Sequence, residues 1–292
     1  MAMLDLTKRL ATVRRASELF RKTPGRAGFL LSISPDAVSD VAVVGDLHGH
    51  VDVLVRVLKL CALDSNPRRH LIVQELAHDT RVNADEGDID RSHRLIDLVC
   101  ALKCQYPDRV HYLMGNHELS EYTGRSISKN GFALNGLFFR GIEADAGEQA
   151  PAFAAAYREL FCALPIAIRL PNRVLVCHTL PDGRDLGLDR FDPAELMQEP
   201  WSEESLKRGG TIYAMTWGRD TSPETADRFA SLMDADLFVT GHQPCELGFR
   251  QANHRQIILD GTEPNPSFCL FSAVMPMTIE GLLAGCRRVA VA

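Results

Sequence analysis

Apolar runs in this chain stop, one after another, at residues able to hold a cation or carry a proton. Val41-Ala42-Val43-Val44 ends at Gly45-Asp46-Leu47-His48-Gly49-His50, Leu71-Ile72-Val73 at Gln74-Glu75, and the run 110–113 at Gly115-Asn116-His117-Glu118. Farther on, Leu175-Val176-Cys177 leads to His178-Thr179, and the run 237–240 leads to Gly241-His242-Gln243. Short runs of this kind, apolar but for His111 and Thr240, read as strands covered on both faces. Between them, residues 51–63 carry Val51, Leu54, Val55, Leu58 and Ala62 on one helical stripe, residues 95–102 read as a second helix, and residues 132–163 read as helical with Phe138, Phe139, Ala154, Ala155, Leu160 and Phe161 as core contacts. Strands alternating with helices give α/β layering. The later β-type segments 167–170, 173–177, 237–240, 256–259 and 268–274 supply a second sheet. The expected fold is therefore α/β, with two mixed β-sheets packed as a sandwich flanked by helices. No Pro/Gly/Ser-rich linker interrupts it, so residues 26–292 are expected to form a single domain behind an N-terminal helical arm, residues 1–25.

That arm mixes Leu4, Leu6, Leu10, Val13, Leu19 and Phe20 with Lys8, Arg9, Arg14, Arg15, Arg21 and Lys22, and Pro24-Gly25 ends it. It lacks the continuous apolar core of a secretory signal, and Asp5 and Glu18 argue against a transit peptide. It reads as a surface helix or interaction arm. With 46% apolar residues in 292, disorder throughout is excluded. No stretch of 18 uninterrupted apolar residues is present, so no membrane span is expected. A net charge of −6 argues against nucleic-acid binding, which needs a basic face. The eight cysteines include no C-x-x-C pair and sit mostly among apolar neighbours, as buried reduced thiols do; a cytoplasmic location is expected.

Each polar run-end lies where α/β proteins bind ligands, at the carboxyl end of a strand. Together they offer carboxylate, amide and imidazole donors without thiolate, a set that suits manganese, iron or zinc. Two divalent cations about 3.5–4 Å apart can clamp the attacking and leaving oxygens of a phosphoryl centre. Asp46 and His48 suit one ion, and Asn116, His178 and His242 the other. His117 is then free to act as general acid, oriented by Glu118 or by an aspartate of the polar loop 77–91.

In these residues the chain resembles the calcineurin-like metallophosphoesterases, most closely the branch of serine/threonine protein phosphatases. The matching pieces are Asp46-x-His48-Gly49, Gly115-Asn116-His117-Glu118, the strand end at His178 and the Gly241-His242 turn, in the family's order. The resemblance runs from residue 41 to about residue 262. It implies the sandwich fold and two divalent ions held by Asp46, His48, Asn116, His178 and His242. It also implies hydrolysis of a phosphate monoester, with phosphoserine or phosphothreonine as candidates, by a hydroxide that the two metals activate, His117 donating the proton. The implied partner is a phosphorylated small molecule or phosphoprotein. The alternatives are a dinucleoside polyphosphate hydrolase or phosphodiesterase of the same superfamily, or a non-catalytic binding protein that keeps the fold.

One motif departs. The family's second motif is Gly-Asp-x-x-Asp-Arg-Gly, whose first aspartate bridges the metals. Here the strand runs into Gln74-Glu75-Leu76-Ala77-His78-Asp79-Thr80-Arg81, and Gly87-Asp88-Ile89-Asp90-Arg91 follows in a loop. Glu75 is the expected bridging ligand, because a strand end is held rigidly whereas a loop must be ordered to reach in; Asp88 is the alternative. His78 is read either as an added ligand or neighbour of one, or as a loop residue in solvent. Asp79 and Arg81 are candidates for the motif's second aspartate and its arginine. Arg219, after Trp217-Gly218, is the candidate phosphate clamp, since guanidinium matches phosphate oxygens bidentately; the competing reading pairs it with Asp220. Arg125 is a further candidate, and His50 and Asp52 are expected to cap the helix that follows them.

Overall fold

The structure, a computed structural model, describes residues 5–79, 81–83, 87–129, 131–183, 187–262 and 264–290. Helix α1 (Leu6–Arg21) starts at Asp5, whose carboxylate accepts from the amides of Thr7 and Lys8. Strands β1 (Arg26–Ala27) and β2 (Leu30–Ser32) follow. Then β3 (Asp40–Asp46) leads to α2 (Val51–Cys61), β4 (Arg69–Gln74) to α3 (His93–Gln105), and β5 (Val110–Leu113) to α4 (Asn116–Thr123). A hairpin of β6 (Ser128–Lys129) and β7 (Phe132–Ala133) precedes α5 (Leu134–Ala146) and α6 (Ala150–Cys162). The rest runs β8 (Ala167–Arg169), β9 (Val174–Cys177), α7 (Thr211–Trp217), α8 (Pro223–Met233), β10 (Leu237–Thr240), β11 (Phe249–Gln251), β12 (Gln256–Leu259), β13 (Ser267–Ser272), α9 (Ile279–Gly285) and β14 (Cys286–Arg288).

These strands form two mixed sheets. One has the order β1-β2-β8-β9-β10-β12-β11 and the other β14-β13-β3-β4-β5. Within them β3, β4 and β5 are mutually parallel, as are β9, β10 and β12. The apolar runs have their physical reason here. In β3, Val41 and Val43 join Ile72, Val174, Val176, Val239, Ile257 and Leu259 in the seam between the sheets, while Ala42 and Val44 pack beneath the helices. Both faces of each central strand are dry, so neither face alternates with polar residues.

Helix α1 buries Val13, Ala16 and Phe20 in the helical layer. Arg9 binds Asp97 on α3 at 2.7 Å, and Asp97 in turn accepts from Tyr157 on α6 at 2.8 Å. The segment expected to be helical over 132–163 is broken. It begins with β7 at Phe132–Ala133, and Gly147 takes φ 53 between α5 and α6, a conformation glycine adopts without steric cost. His50 occupies the position preceding α2 but makes no side-chain cap bond, contrary to its expected role. All eight cysteines are free thiols. Among the described residues no helix is long and apolar enough to cross a membrane. Asp85 and Glu86, at the acidic centre of the polar loop, lie outside the described residues.

Candidate active site

Six parallel strand ends share one rim of the sandwich. From one sheet, β3 ends on Asp46, β4 is followed by Glu75, and β5 by Asn116 and His117 in the first turn of α4. From the other, β9 is followed by His178, β10 by Gly241-His242, and β12 by Asp260. A register irregularity in β3 between Val43 and Asp46 turns the strand at this point. Of the seven non-glycine residues with positive φ among the described residues, four lie here: His48 (36°), Glu75 (48°), His78 (65°) and His242 (67°). Such conformations cost on the order of 1 kcal/mol each and persist only where the surroundings impose them.

His178 is the hub. Its Nε2 lies 3.0 Å from Glu75 Oε2, 3.1 Å from Asn116 Oδ1 and 3.2 Å from His242 Nδ1. Its Nδ1 lies 3.1 Å from Gln74 Oε1, and the same Gln74 amide donates to Val44 O at 3.3 Å. An amide oxygen only accepts, so Nδ1 carries the proton and Nε2 turns its lone pair towards the cluster. His48 is held the same way, its Nδ1 3.0 Å from Ala77 O, which leaves Nε2 as its donor atom. One donor atom each from His48, Glu75 and His117 lies within 4.8 Å of the others. Glu75 Oε1 accepts from the His117 amide at 3.1 Å and Asp46 Oδ2 from the His242 amide at 2.7 Å.

Among the described residues, three buried atoms here have no hydrogen-bond partner: Asp46 Oδ1, Glu75 Oε2 and His242 Nε2. The close approach of Glu75 Oε2 to His178 Nε2 sets one lone pair against another. Orphaned buried polar atoms are rare and cost about 1–3 kcal/mol each, so a cluster of them needs a cause. Ligands of a cation with bonds of about 2.1 Å stand roughly 3 Å apart when adjacent, the spacing seen around His178 Nε2. Charge tells the same story. Burial, then Asp260, holds the Asp46 carboxyl well above the usual carboxylate range, and burial, Glu118 and Asp46 do the same to Glu75. Burial and the neighbouring His242 and His48 push His178 well down, and burial with Arg219 nearby takes His242 down to about 3. With its carboxyls pushed up and its imidazoles pushed down, the cluster lacks the positive charge that would favour ionised carboxylates. The oxygen and nitrogen donors fit hard or borderline divalent cations.

Two glycines make room. A Cβ on Gly115 would stand 1.5 Å from Glu75 Oε2, and one on Gly241 would stand 2.1 Å from Asp46 Oδ1. Neither position has space for a methyl group.

The structure thus brings Asp46, His48, Glu75, Asn116, His117, His178 and His242 together and leaves Asp88 outside. Asp88 is exposed and accepts from the Asn83 amide at 3.1 Å. Glu118 does not reach His117. It accepts from the amides of Leu76 (2.8 Å), Ala77 (2.9 Å) and Gly115 (3.0 Å) and from the Tyr112 hydroxyl (2.7 Å), because as third residue of α4 it points back over the helix start. Asp79 does not reach His117 either. It binds Arg81 at 2.7 Å and leaves that guanidinium occupied. His78, the residue before it, is buried and meets His117, Nδ1 to Nδ1, at 2.7 Å. Arg219 is exposed, and its guanidinium forms no ion pair with Asp220. Asp220 is instead satisfied by Gly183 N, Ser222 N and Thr225 Oγ1. Arg219 is close enough to depress His242 and His178. The residues on either side of it, Gly218 and Asp220, line a cleft of about 490 Å³ with Asp182, Arg208, Tyr213 and Trp217. None of the strand-end cluster lines this cleft. Arg125 stacks over Tyr213, 5.0 Å from the ring centre.

Sequence reasoning overlooked three participants and left a fourth without a role. Glu121 binds His78 Nε2 at 2.8 Å and Asn135 binds Glu121 at 2.7 Å. Asp260 crowds Asp46. Gln74 orients His178. Glu121 was within reach, being one helical turn past His117, and Asp260-Gly261 ends an apolar run as the others do.

The sequence profile described as Calcineurin-like phosphoesterase matches residues 39–246. Serine/threonine-protein phosphatase 5 of Solanum lycopersicum is 26% identical over 275 residues, covering 89% of this chain and 45% of that protein. Its Homo sapiens namesake is 23% identical over 244 residues, covering 77% and 43%. The chain thus spans less than half the length of these relatives. A Saccharomyces cerevisiae protein serine/threonine phosphatase superposes with a TM-score of 0.66 at 15% identity, covering 91% of this chain and 82% of that one. A cold-active protein-tyrosine phosphatase of a Shewanella species superposes at 0.56 and 17% identity, covering 92% and 84%.

Proposed function

We propose that this chain, which belongs to the calcineurin-like phosphoesterases, hydrolyses phosphate monoesters, with Asp46, His48, Glu75, Asn116, His178 and His242 holding two divalent cations. The observation that carries the reading is the set of partnerless buried donors, Asp46 Oδ1, Glu75 Oε2 and His242 Nε2, gathered where six strands end. When bound, such ions supply a water of lowered pKa and neutralise charge on the phosphoryl oxygens. The rest falls to the side chains. Glu75, buried between the histidines of both sheets, is the carboxylate that would be shared by both ions. Gln74 and Ala77 O fix the tautomers of His178 and His48. Arg219, whose guanidinium forms no ion pair among the described residues, receives phosphate oxygens at the mouth. His117 sits over Glu75, its Nε2 3.6 Å from Oε1, with 16% of its side chain exposed. From there it hands a proton to the leaving oxygen.

Manganese, iron or zinc would serve, and metal analysis of the purified chain decides among them. The relatives named as serine/threonine phosphatases support phosphoserine or phosphothreonine as substrate; the neighbour named as a tyrosine phosphatase supports a phosphotyrosine arm in the assay. Dinucleoside polyphosphates and phosphodiesters are the competing substrates within the family. The deciding experiment compares Glu75→Gln with Asp88→Asn. We expect the first to lose activity and bound metal and the second to keep both; the reverse outcome removes Glu75 from the centre. A chain that binds no metal and stays inactive with added manganese would instead be a binding protein on this fold.

A further inference from the structure

The strongest unassigned feature is behind His117 rather than in front of it. His78 Nδ1 meets His117 Nδ1 at 2.7 Å, His78 Nε2 meets Glu121 Oε1 at 2.8 Å, and Asn135 Nδ2 donates to the same Glu121 oxygen at 2.7 Å. We propose that His78 and Glu121 are a positioning pair that fixes the ring orientation and tautomer of His117. The proposal rests on the phosphoesterase reading for its consequence in turnover, not for its geometry.

Proton bookkeeping gives the direction. A carboxylate only accepts, so His78 Nε2 carries a proton towards Glu121. Only one of the two facing Nδ1 atoms can carry the proton between them; with both rings neutral it is that of His117, which donates to the His78 Nδ1 lone pair. That leaves His117 Nε2, which faces Glu75, as the nitrogen that takes a proton from solvent and, as imidazolium with its Nδ1–H held by His78, gives it to the leaving oxygen. A hydrogen bond at one imidazole nitrogen settles the state of the other.

The surroundings are built for this. His78 is buried and adopts φ 65, and its amide donates to Ser92 Oγ at 2.9 Å. Its ring stands edge-on to Phe138, with centroids 5.7 Å apart. A non-glycine residue keeps such a conformation only where the surroundings demand it. Glu121 lies one turn after His117 on α4, so the helix presents the supported ring and the terminal acceptor together. In the family's second motif an aspartate stands three residues after the bridging carboxylate. Here that place, three after Glu75, is His78, and an imidazole cannot serve as the anionic end. Glu121 supplies that end one ring farther away.

The test uses the full chain. For His78→Ala we expect kcat on a phosphoserine peptide to fall about 100-fold, within the range general acids contribute. The loss on 4-nitrophenyl phosphate, whose leaving group needs no proton, should stay under about 5-fold, with KM and bound metal unchanged. His78→Asp should restore most of the peptide activity and make Glu121→Gln harmless, whereas Glu121→Gln alone should cost about 10-fold. Equal losses on both esters, or no recovery in His78→Asp, would overturn the pairing. Nitrogen-15 NMR of the zinc-loaded chain reads the tautomer without any turnover. We expect His117 protonated at Nδ1 in the wild type and mixed in His78→Ala. The same tautomer in both would refute the proposal even if the ester assays were silent. A wild type that shows the expected tautomer yet hydrolyses neither ester would support the pair and reject the phosphoesterase reading.

Discussion

Single atoms decide this site, and Gly115 shows how narrowly. It stands where a β-carbon would fall 1.5 Å from Glu75 Oε2, so Gly115→Ala must push the buried carboxylate aside. We expect that variant to fold, with overpacking costing about 1–3 kcal/mol. It should lose at least one equivalent of bound metal and most activity; full metal content with normal turnover would show that Glu75 is not a ligand. His117→Ala makes the complementary case. It should reduce turnover of alkyl phosphates far more than of 4-nitrophenyl phosphate while leaving metal bound. Loss of metal in that variant would make His117 a ligand, a role its place within 4.8 Å of His48 and Glu75 donors would permit. At this scale the sequence was uneven evidence. Asp46, Asn116, His178 and His242 were legible because each ends an apolar run, and strand geometry alone brings such ends together. The work of Gln74 and Glu121 was not legible. It depends on which residue lies opposite across 104 positions for Gln74 and His178, and 43 for His78 and Glu121.

At the scale of elements, the segment after β4 stands where the family carries its Gly-Asp-x-x-Asp-Arg-Gly motif, and it is anchored from outside. The Glu118 carboxylate ties the amides of Leu76 and Ala77 to the start of α4, while the amides of Leu47 and His48 both donate to Glu75 O, at 2.9 and 2.8 Å. Glu118→Ala strands three buried amides, each costing about 1–3 kcal/mol. We expect its urea midpoint to fall sharply and its metal affinity to drop with it, because Glu75 and His78 ride on this turn. Retained metal affinity at lowered stability would show that the turn holds its shape without Glu118. The same logic explains which elements sequence reading found. Strands β3, β4, β5, β9, β10 and β12 are dry on both faces, so their composition announces them. Helix α8 instead carries its signal at its ends, where Ser222 caps and Pro223 is the first helical residue, and that start was passed over. The two-residue strands β1 and β7 have no periodicity to read.

Across the whole molecule, the proposed cation donors come from both sheets, so metal binding would clamp the sandwich and should raise its stability by mass action. Chelated protein therefore exposes the pH dependence of the fold itself. Burial takes His70 and His93 down to about 4, so the unfolded chain gains protons first as pH falls below 6.5, and stability is lost between 6.5 and 4. At the other end, burial pushes the Cys61 thiol up to about 12, so the unfolded chain ionises first above 9 and stability falls there too. Lys103 works against this upper limit. Its Nζ is buried under Phe20, donating to Thr23 Oγ1 at 2.8 Å and Val110 O at 3.1 Å, and burial lowers its pKa from 10.5 to about 7. Between those values the unfolded chain holds the extra proton, so Lys103 penalises folding most below pH 7 and less as pH rises. Replacing it with methionine should remove that penalty. In chelator, the stability advantage of Lys103→Met over wild type should shrink by about 2 kcal/mol from pH 7 to pH 9, the thiols cancelling in the difference. A pair of urea titrations at each pH measures it. An advantage that does not change with pH would mean that Lys103 stays charged in the folded chain and that Thr23 and Val110 compensate its burial in full.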